Sequence, residues 1–262
     1  MSLALWADVR PRLEQTSRVA FDLEGDFNLH RYGRRVCLFQ LAFDGGIVLL
    51  DALESPVSTW DGWKEFLENP AVTKVIWAAQ NDVRVLKACL GIALKGLWDL
   101  FDAACLTVTP RPTLPLLIQT FLGQTIAKDE SIQTGDWSVR PLSAEQLRYA
   151  AQDVRHLLAL ADRLDPLLDD KRKRAVFETR MTAAEAYEFR ETAEPWRKVK
   201  GAGVLDEAEL LRLKDVWLQR EQLAEQLDLA PWRVVPPEEL LHWARTGRFS
   251  DQFQIDPRWP LR

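Results

Sequence analysis

Apolar residues in the first fifty positions fall in short runs bounded by turn-forming residues, the pattern of strands rather than helices. VAFDLEG (19–25), VCLFQLAF (36–43) and GIVLLDAL (46–53) are such runs, and Asp44-Gly45-Gly46 between the last two is a hairpin signature. The period then changes. Residues 60–69 predict a helix behind a Ser58/Thr59 cap, VTKVIWAA (72–79) a buried strand, and QNDVRVLKACLG a helix that Gly91 ends. Strands alternating with helices after a hairpin predict an α/β unit with a mixed central sheet. From about residue 99 the chain reads as mostly helical. Ser143-Ala144-Glu145-Gln146 is a capping box opening a helix to Leu164, with an apolar seam of Leu147, Ala150, Ala151, Val154, Leu157, Leu158 and Ala161. The stretch from Lys171 to Arg190 continues helical. Residues 191–203, with Pro195, Gly201 and Gly203, read as a linker. Beyond it, Asp206 caps a long helix to about Leu229, and PPEELLHWART is a helix with proline at its start and Gly247 at its end. These helices predict a small all-helical C-terminal unit.

A chain of 262 residues has room for one large domain, or for a medium one and a small one. Its 47% hydrophobic and 28% charged residues are those of a soluble globular protein. No apolar run approaches the roughly 20 residues of a membrane-spanning helix. The opening MSLALWADVRPRLEQ breaks its apolar run at Asp8, unlike a signal peptide. Cys37, Cys89 and Cys105 are widely spaced without a CxxC pair. That pattern argues against a disulfide framework or a structural zinc site and fits a reducing, cytoplasmic setting. The net charge of −5 contrasts with the basic surface expected of a nucleic-acid binder. Carboxylates that hold metal ions offer a reason, since they count as negative until the metal arrives.

Asp22 and Glu24 stand two apart in an apolar strand, so their side chains share one face and Phe21 and Leu23 the other. Paired acids in such a strand need a cation or a proton unless that face is solvated. Asp82 follows the apolar strand at the start of a helix, where ligands gather in α/β sheets and where aspartate also serves as a cap. Tyr149 and Asp153, four apart, lie off the apolar seam of their helix and face either a cleft or solvent. Taken together, four acids on separate elements suit two magnesium or manganese ions, which prefer carboxylate oxygens and clamp the attacking and leaving oxygens of a phosphodiester. The loop His30-Arg31-Tyr32-Gly33-Arg34-Arg35 follows the acidic strand. Its His30, Arg34 and Arg35 are candidates to touch a nucleic-acid backbone and Tyr32 to stack on a base; a solvated basic hairpin explains the same residues.

FDLEGDFNLHRYGRRVCLFQL, then VIWAAQNDVRVLKACLG with GLWDLFDAACL, then DWSVRPLSAEQLRYAAQDVRHLLAL resemble, in order, the three exonuclease motifs of ribonuclease D. That family is the DEDDy branch of the DnaQ-like 3′→5′ exonucleases, and the resemblance covers roughly residues 15–165. It implies an RNase H-like exonuclease domain (1–165), a helical connector and linker (166–203) and a helical region (204–262) similar to a shortened HRDC module. It further implies that Asp22, Glu24, Asp82 and Asp153 hold two Mg²⁺ or Mn²⁺ ions, with Asp22 bridging them. Tyr149 matches the tyrosine that orients the attacking water, and Asp99 a structural aspartate. Trp77 stands where many relatives carry histidine, next to Asp82, and is a further candidate for substrate contact. The implied activity is 3′→5′ exoribonuclease action on single-stranded 3′ ends of structured or stable RNAs, tRNA-like RNAs among them. The alternatives are a DNA exonuclease with the same site and a non-catalytic nucleic-acid-binding scaffold.

Overall fold

The computed structural model describes residues 3–4, 6–44, 46–54, 60–126, 130–254 and 256–259. The expected Ser58/Thr59 helix cap and the central glycine of the 44–46 turn lie outside them. The chain divides into two units: Met1–Gly25 with Val36–Phe189, and Asp26–Arg35 with Arg190–Arg262.

The first unit begins with α1 (Trp6–Leu13), β1 (Arg18–Phe27), β2 (Arg34–Phe43) and β3 (Gly46–Asp51), the ends of β1 and β2 reaching into the second unit. It continues with α2 (Trp60–Glu68), β4 (Thr73–Ile76), α3 (Gln80–Leu90) and β5 (Leu97–Asp99). Helices α4 (Leu100–Thr107), α5 (Leu114–Leu122), α6 (Glu130–Gln133), α7 (Ala144–Arg155), α8 (Leu157–Leu164) and α9 (Lys171–Glu185) complete it. The strands form one sheet in the order β3-β2-β1-β4-β5. Pairing is antiparallel between β2 and β3 and parallel between β1 and β4 and between β4 and β5, so the sheet is mixed as expected. The short hydrophobic runs form these strands because their buried side chains are rich in valine, leucine and phenylalanine, which pack well on a pleated surface. One face lies against α1 and α2: the rings of Phe21 and Phe39 are 6.0 Å apart, Phe39 and Trp63 4.7 Å, and Trp63 and Trp6 4.5 Å. On the opposite face, Leu38 and Leu49 pack with Trp137, Leu142, Tyr149 and Ala150.

The expected strand over 72–79 ends at Ile76, because Ala78 takes φ 55 and turns the chain into α3. The expected helix Ser143–Leu164 is two helices that break at His156 (φ −105, ψ −6). Buried Val154, Leu157, Leu160, Ala161 and Leu164 keep helical spacing through the break. A change of axis that preserves the spacing leaves no mark in the sequence pattern.

In the second unit, α10 (Glu207–Leu227), α11 (Pro231–Val234) and α12 (Pro237–Thr246) enclose a cluster that includes Leu213, Val216, Leu223, Leu240 and Ala244. A capping box between Asp206 and Glu209 starts α10, as its sequence predicts. Residues 191–203 are not a free linker: Trp196 and Val199 pack on this cluster and Ala202 is buried in it. Gly201 has φ +98, a left-handed backbone conformation that favours glycine; a Cβ there would also meet Leu241 Cδ1 at 2.7 Å, a contact a shift of that side chain relieves. The expected connector 166–203 is therefore shared, with α9 in the first unit and the rest from Arg190 in the second.

Candidate active site

The carboxylates arise from local rules. In β1, Phe21 and Leu23 are buried, with Phe21 packed toward α1 and α2, so alternation sends Asp22 and Glu24 to the other face. Asp82 lies in the first turn of α3 and is buried; Ala79 caps that helix without a side-chain hydrogen bond. Tyr149 and Asp153 lie one turn apart on α7, which Ser143 and Gln146 cap reciprocally.

Folding brings these groups into one electrostatic neighbourhood. Asp22 touches solvent yet is surrounded mostly by protein. Burial raises its pKa well above the ordinary value, and the charges of Asp82, Asp153 and Glu24 raise it further against one backbone N–H from Leu23 at 2.9 Å. Burial first, with a smaller push from Asp99, raises Asp82 to about 7. Burial also raises the Tyr149 phenol far above its usual range, aided by the charges of Asp153, Glu24 and Asp22 and by the hydrogen bond between its hydroxyl and Asp153. The charges that weigh most on Asp22, those of Asp82, Asp153 and Glu24, are all negative. Such a cluster is costly unless protons or cations neutralise it, and a set of oxygen donors suits hard divalent cations. No group of three His, Cys, Asp or Glu side chains among the described residues is already arranged as a metal-binding set. The donors the site offers, all oxygens, still fit a divalent metal.

The domain description "3'-5' exonuclease" matches residues 3–169. The chain belongs to this 3′-5′ exonuclease family. Exosome complex exonuclease RRP6 of Saccharomyces cerevisiae is 28% identical over 265 residues, covering 92% of this chain and 35% of that protein. The crystal structure of Escherichia coli RNase D, an exoribonuclease involved in structured RNA processing, superposes with a TM-score of 0.70 at 25% identity, over 95% of this chain and 67% of that one. Brucella melitensis NrnC with bound Mg²⁺ superposes with a TM-score of 0.53 at 25% identity, over 74% of this chain and 90% of that one. The chain spans about a third to a half of the length of the first curated relatives it matches.

Two residues support this candidate site, and of these only Arg140 was not singled out from the sequence. Asp99, expected to be structural from the resemblance, accepts N–H bonds from Ala78 (2.9 Å), Ala79 (2.9 Å) and Phe101 (2.8 Å). It thereby pins the turn at Ala78, an αL conformation that costs a non-glycine residue about 1–2 kcal/mol, and with it the start of α3 that carries Asp82. Burial lifts Asp99 to about 6 against these hydrogen bonds. The second support is Arg140. It donates to both carboxylate oxygens of Asp51 and to the carbonyls of Cys37 (2.8 Å), Trp137 (2.8 Å) and Val139 (2.9 Å). This ties the segment before α7 to β2 and β3 and sets Trp137 beside Tyr149, with ring centroids 6.2 Å apart. Burial alone would raise Asp51; the bonds from Arg140 and the N–H groups of Leu53 and Glu54 bring it below its usual value instead. Arg140 lies inside the quoted DWSVRPLS motif, a signal that marks a position without revealing its partners.

The candidate substrate residues are engaged in structure. Trp77 packs edge-on to Phe101, 5.6 Å between centroids. In the second unit, Tyr32 packs on the apolar cluster and Arg35 pairs with Asp228 at 2.9 Å. The carbonyl of His30 accepts from the Ala230 N–H at 3.3 Å, and Arg34 is exposed. Buried Asp26 shapes this loop by accepting N–H bonds from Leu29, His30 and Arg31. The basic loop is thus largely occupied in holding its own unit together.

Proposed function

We propose that this chain is a metal-dependent 3′→5′ exoribonuclease that hydrolyses phosphodiester bonds at single-stranded RNA 3′ ends. The observation that carries this reading is the meeting of Asp22, Glu24, Asp82 and Asp153 with Tyr149 in one neighbourhood. In this reading the four acids hold two divalent ions, Mg²⁺ or Mn²⁺. When bound, the ions supply electrostatic stabilisation for the attacking and leaving oxygens of the phosphodiester. Asp22, facing the other three acids, takes the central place in the set. The hydrogen bond between the Tyr149 hydroxyl and Asp153 positions that hydroxyl to orient the attacking water. The ribonuclease D relatives, among them the Escherichia coli exoribonuclease involved in structured RNA processing, favour RNA over DNA.

A cytoplasmic setting belongs to the same proposal. No disulfide joins Cys37, Cys89 and Cys105, and no helix among the described residues is long and apolar enough to cross a membrane. The second unit, with its HRDC-like opening, is proposed to add contacts to longer RNA.

The test uses 3′-labelled and 5′-labelled single strands of RNA and DNA with Mg²⁺, Mn²⁺ or EDTA. The expected result is stepwise shortening of RNA from its 3′ end, abolished by EDTA and restored by either ion. Full turnover in EDTA sinks the metal reading, and preference for DNA moves the substrate class. Saturating Mn²⁺ is also expected to raise the Tm, because it binds the assembled site and not the open chain.

A further inference from the structure

Gln40 lies in the middle of β2 with no exposure to solvent, and neither its side-chain nitrogen nor its side-chain oxygen has a hydrogen-bond partner. A buried polar group left bare is costly, whereas a methionine would fill similar space without that cost. Among the described residues, Arg18 Nε shares this condition, but that guanidinium is bonded through its other nitrogens to Asp162 and to the Leu158 carbonyl, each at 2.7 Å. Gln40 has no such relief.

Alternation along β2 shows which way Gln40 points. Phe39 faces α2, its ring 4.7 Å from Trp63, so Gln40 faces the other side with Leu38. Leu49, directly across in register, shares that side, and Leu38 and Leu49 pack there with Trp137, Tyr149 and Ala150. On the adjoining strand β1, Phe21 lies on the side of Phe39, which sends Asp22 and Glu24 to the side of Gln40. Gln40 therefore lies on the same face of the sheet as Asp22 and Glu24, one strand away, the face that α7 covers. The apolar side chains around it offer no hydrogen bonds, whereas the carboxylates offer acceptors and Tyr149 a hydroxyl.

We propose that Gln40 is a positioning residue for this site, its amide holding a buried water that carries hydrogen bonds from β2 to the acid cluster. A buried water makes about three hydrogen bonds, and an amide can both donate to it and accept from it. Through that water Gln40 restricts where the carboxylate oxygens sit before a cation arrives. The inference rests on the metal-dependent reading of the site. Hydrogen bonds of this kind behind ligating groups are worth about 10–100-fold in metal affinity or activity.

The test compares the full chain with Gln40→Met in three measurements: melting in EDTA, a Mn²⁺ titration followed by Tm, and single-turnover cleavage. The expected result is an EDTA Tm equal to or above that of the parent, since a bare amide has been removed. The half-saturating Mn²⁺ concentration rises about tenfold or more, and the single-turnover rate falls about tenfold or more. A variant that binds Mn²⁺ and cleaves like the parent overturns the proposal. So does one that melts lower in EDTA but keeps its Mn²⁺ affinity, which marks a purely structural side chain. A parent that shows no Mn²⁺-dependent shift overturns the metal reading itself, a different failure. If the variant does not fold, a crystal structure of the parent decides: a water within about 3.2 Å of the Gln40 amide supports the proposal and a dry amide overturns it.

Discussion

Tyr149 and Asp22 make separable demands on the candidate site. Asp22 feels the other three acids, so its carboxylate belongs to the centre of the metal-binding set. Asp22→Ala is expected to lower the single-turnover rate by at least about 10³-fold, as when a key charge-stabilising group is lost, and to weaken Mn²⁺ binding. Tyr149→Phe keeps the ring against Trp137 and removes only the hydroxyl bonded to Asp153. Its expected cost is smaller, about 10–10³-fold in rate, with Mn²⁺ affinity nearly unchanged. Full activity in Tyr149→Phe would remove the tyrosine from the mechanism; full activity in Asp22→Ala would overturn the whole assignment.

The elements that position these groups are themselves held by buried polar residues. The turn from β4 into α3 depends on Asp99, whose carboxylate satisfies the N–H groups of the αL residue Ala78 and of Ala79 while also capping α4 through the Phe101 N–H. Asp99→Ala leaves those donors bare, and urea unfolding is expected to show a loss of about 2–3 kcal/mol. Because Asp82 sits just beyond the turn, activity should fall even at temperatures where the variant stays folded. Strand β4 carries the opposite case. Lys74 is fully buried, donates to the Asn69 carbonyl at 2.6 Å, and burial lowers its pKa to about 8 despite Glu185. The unfolded chain therefore binds more protons than the folded one between about pH 8 and 10.5, so stability rises with pH across that window. Below it the cost of burying the charge is complete. Lys74→Met is expected to stabilise the protein by about 1–3 kcal/mol at pH 7, with the gain fading near pH 10.5. Equal or lower stability at pH 7 would show that the Asn69 bond outweighs the burial cost.

At the scale of the whole molecule, the second unit is assembled from two separated stretches of chain, 26–35 and 190–262. Within it the Trp232 indole donates to the Leu29 carbonyl at 3.2 Å, Arg35 pairs with Asp228, and Tyr32 packs on the apolar cluster. A chain ending near Thr192 strips those partners from residues 26–35 while leaving the five candidate site residues in place. It is expected to melt several degrees lower, to cut short single strands still, and to bind longer RNA more weakly with a shallower salt dependence. Unchanged melting would show that residues 26–35 need no support from the rest of their unit. An unchanged salt slope would count against contacts from this unit to RNA.

The sequence by itself determined the kinds of element and the identities of the acids. Short apolar runs bounded by turn-forming residues marked the strands, cap signatures at Ser143 and Asp206 marked helix starts, and Gly91 and Gly247 marked helix ends in the αL conformation. Those signals are legible because they depend on residues within one turn or one strand of each other. Tertiary structure decided which distant residues meet. It brought Asp22, Asp82 and Asp153 into range of one another, joined residues 26–35 to the second unit, gave Arg140 its partner Asp51 and left Gln40 buried without one. It also broke the helix at His156, where the apolar spacing runs on unchanged. Each of those outcomes turns on contacts between segments tens of residues apart or on the direction of an axis. Neither quantity is written in local spacing, because the same apolar period is compatible with many arrangements in space.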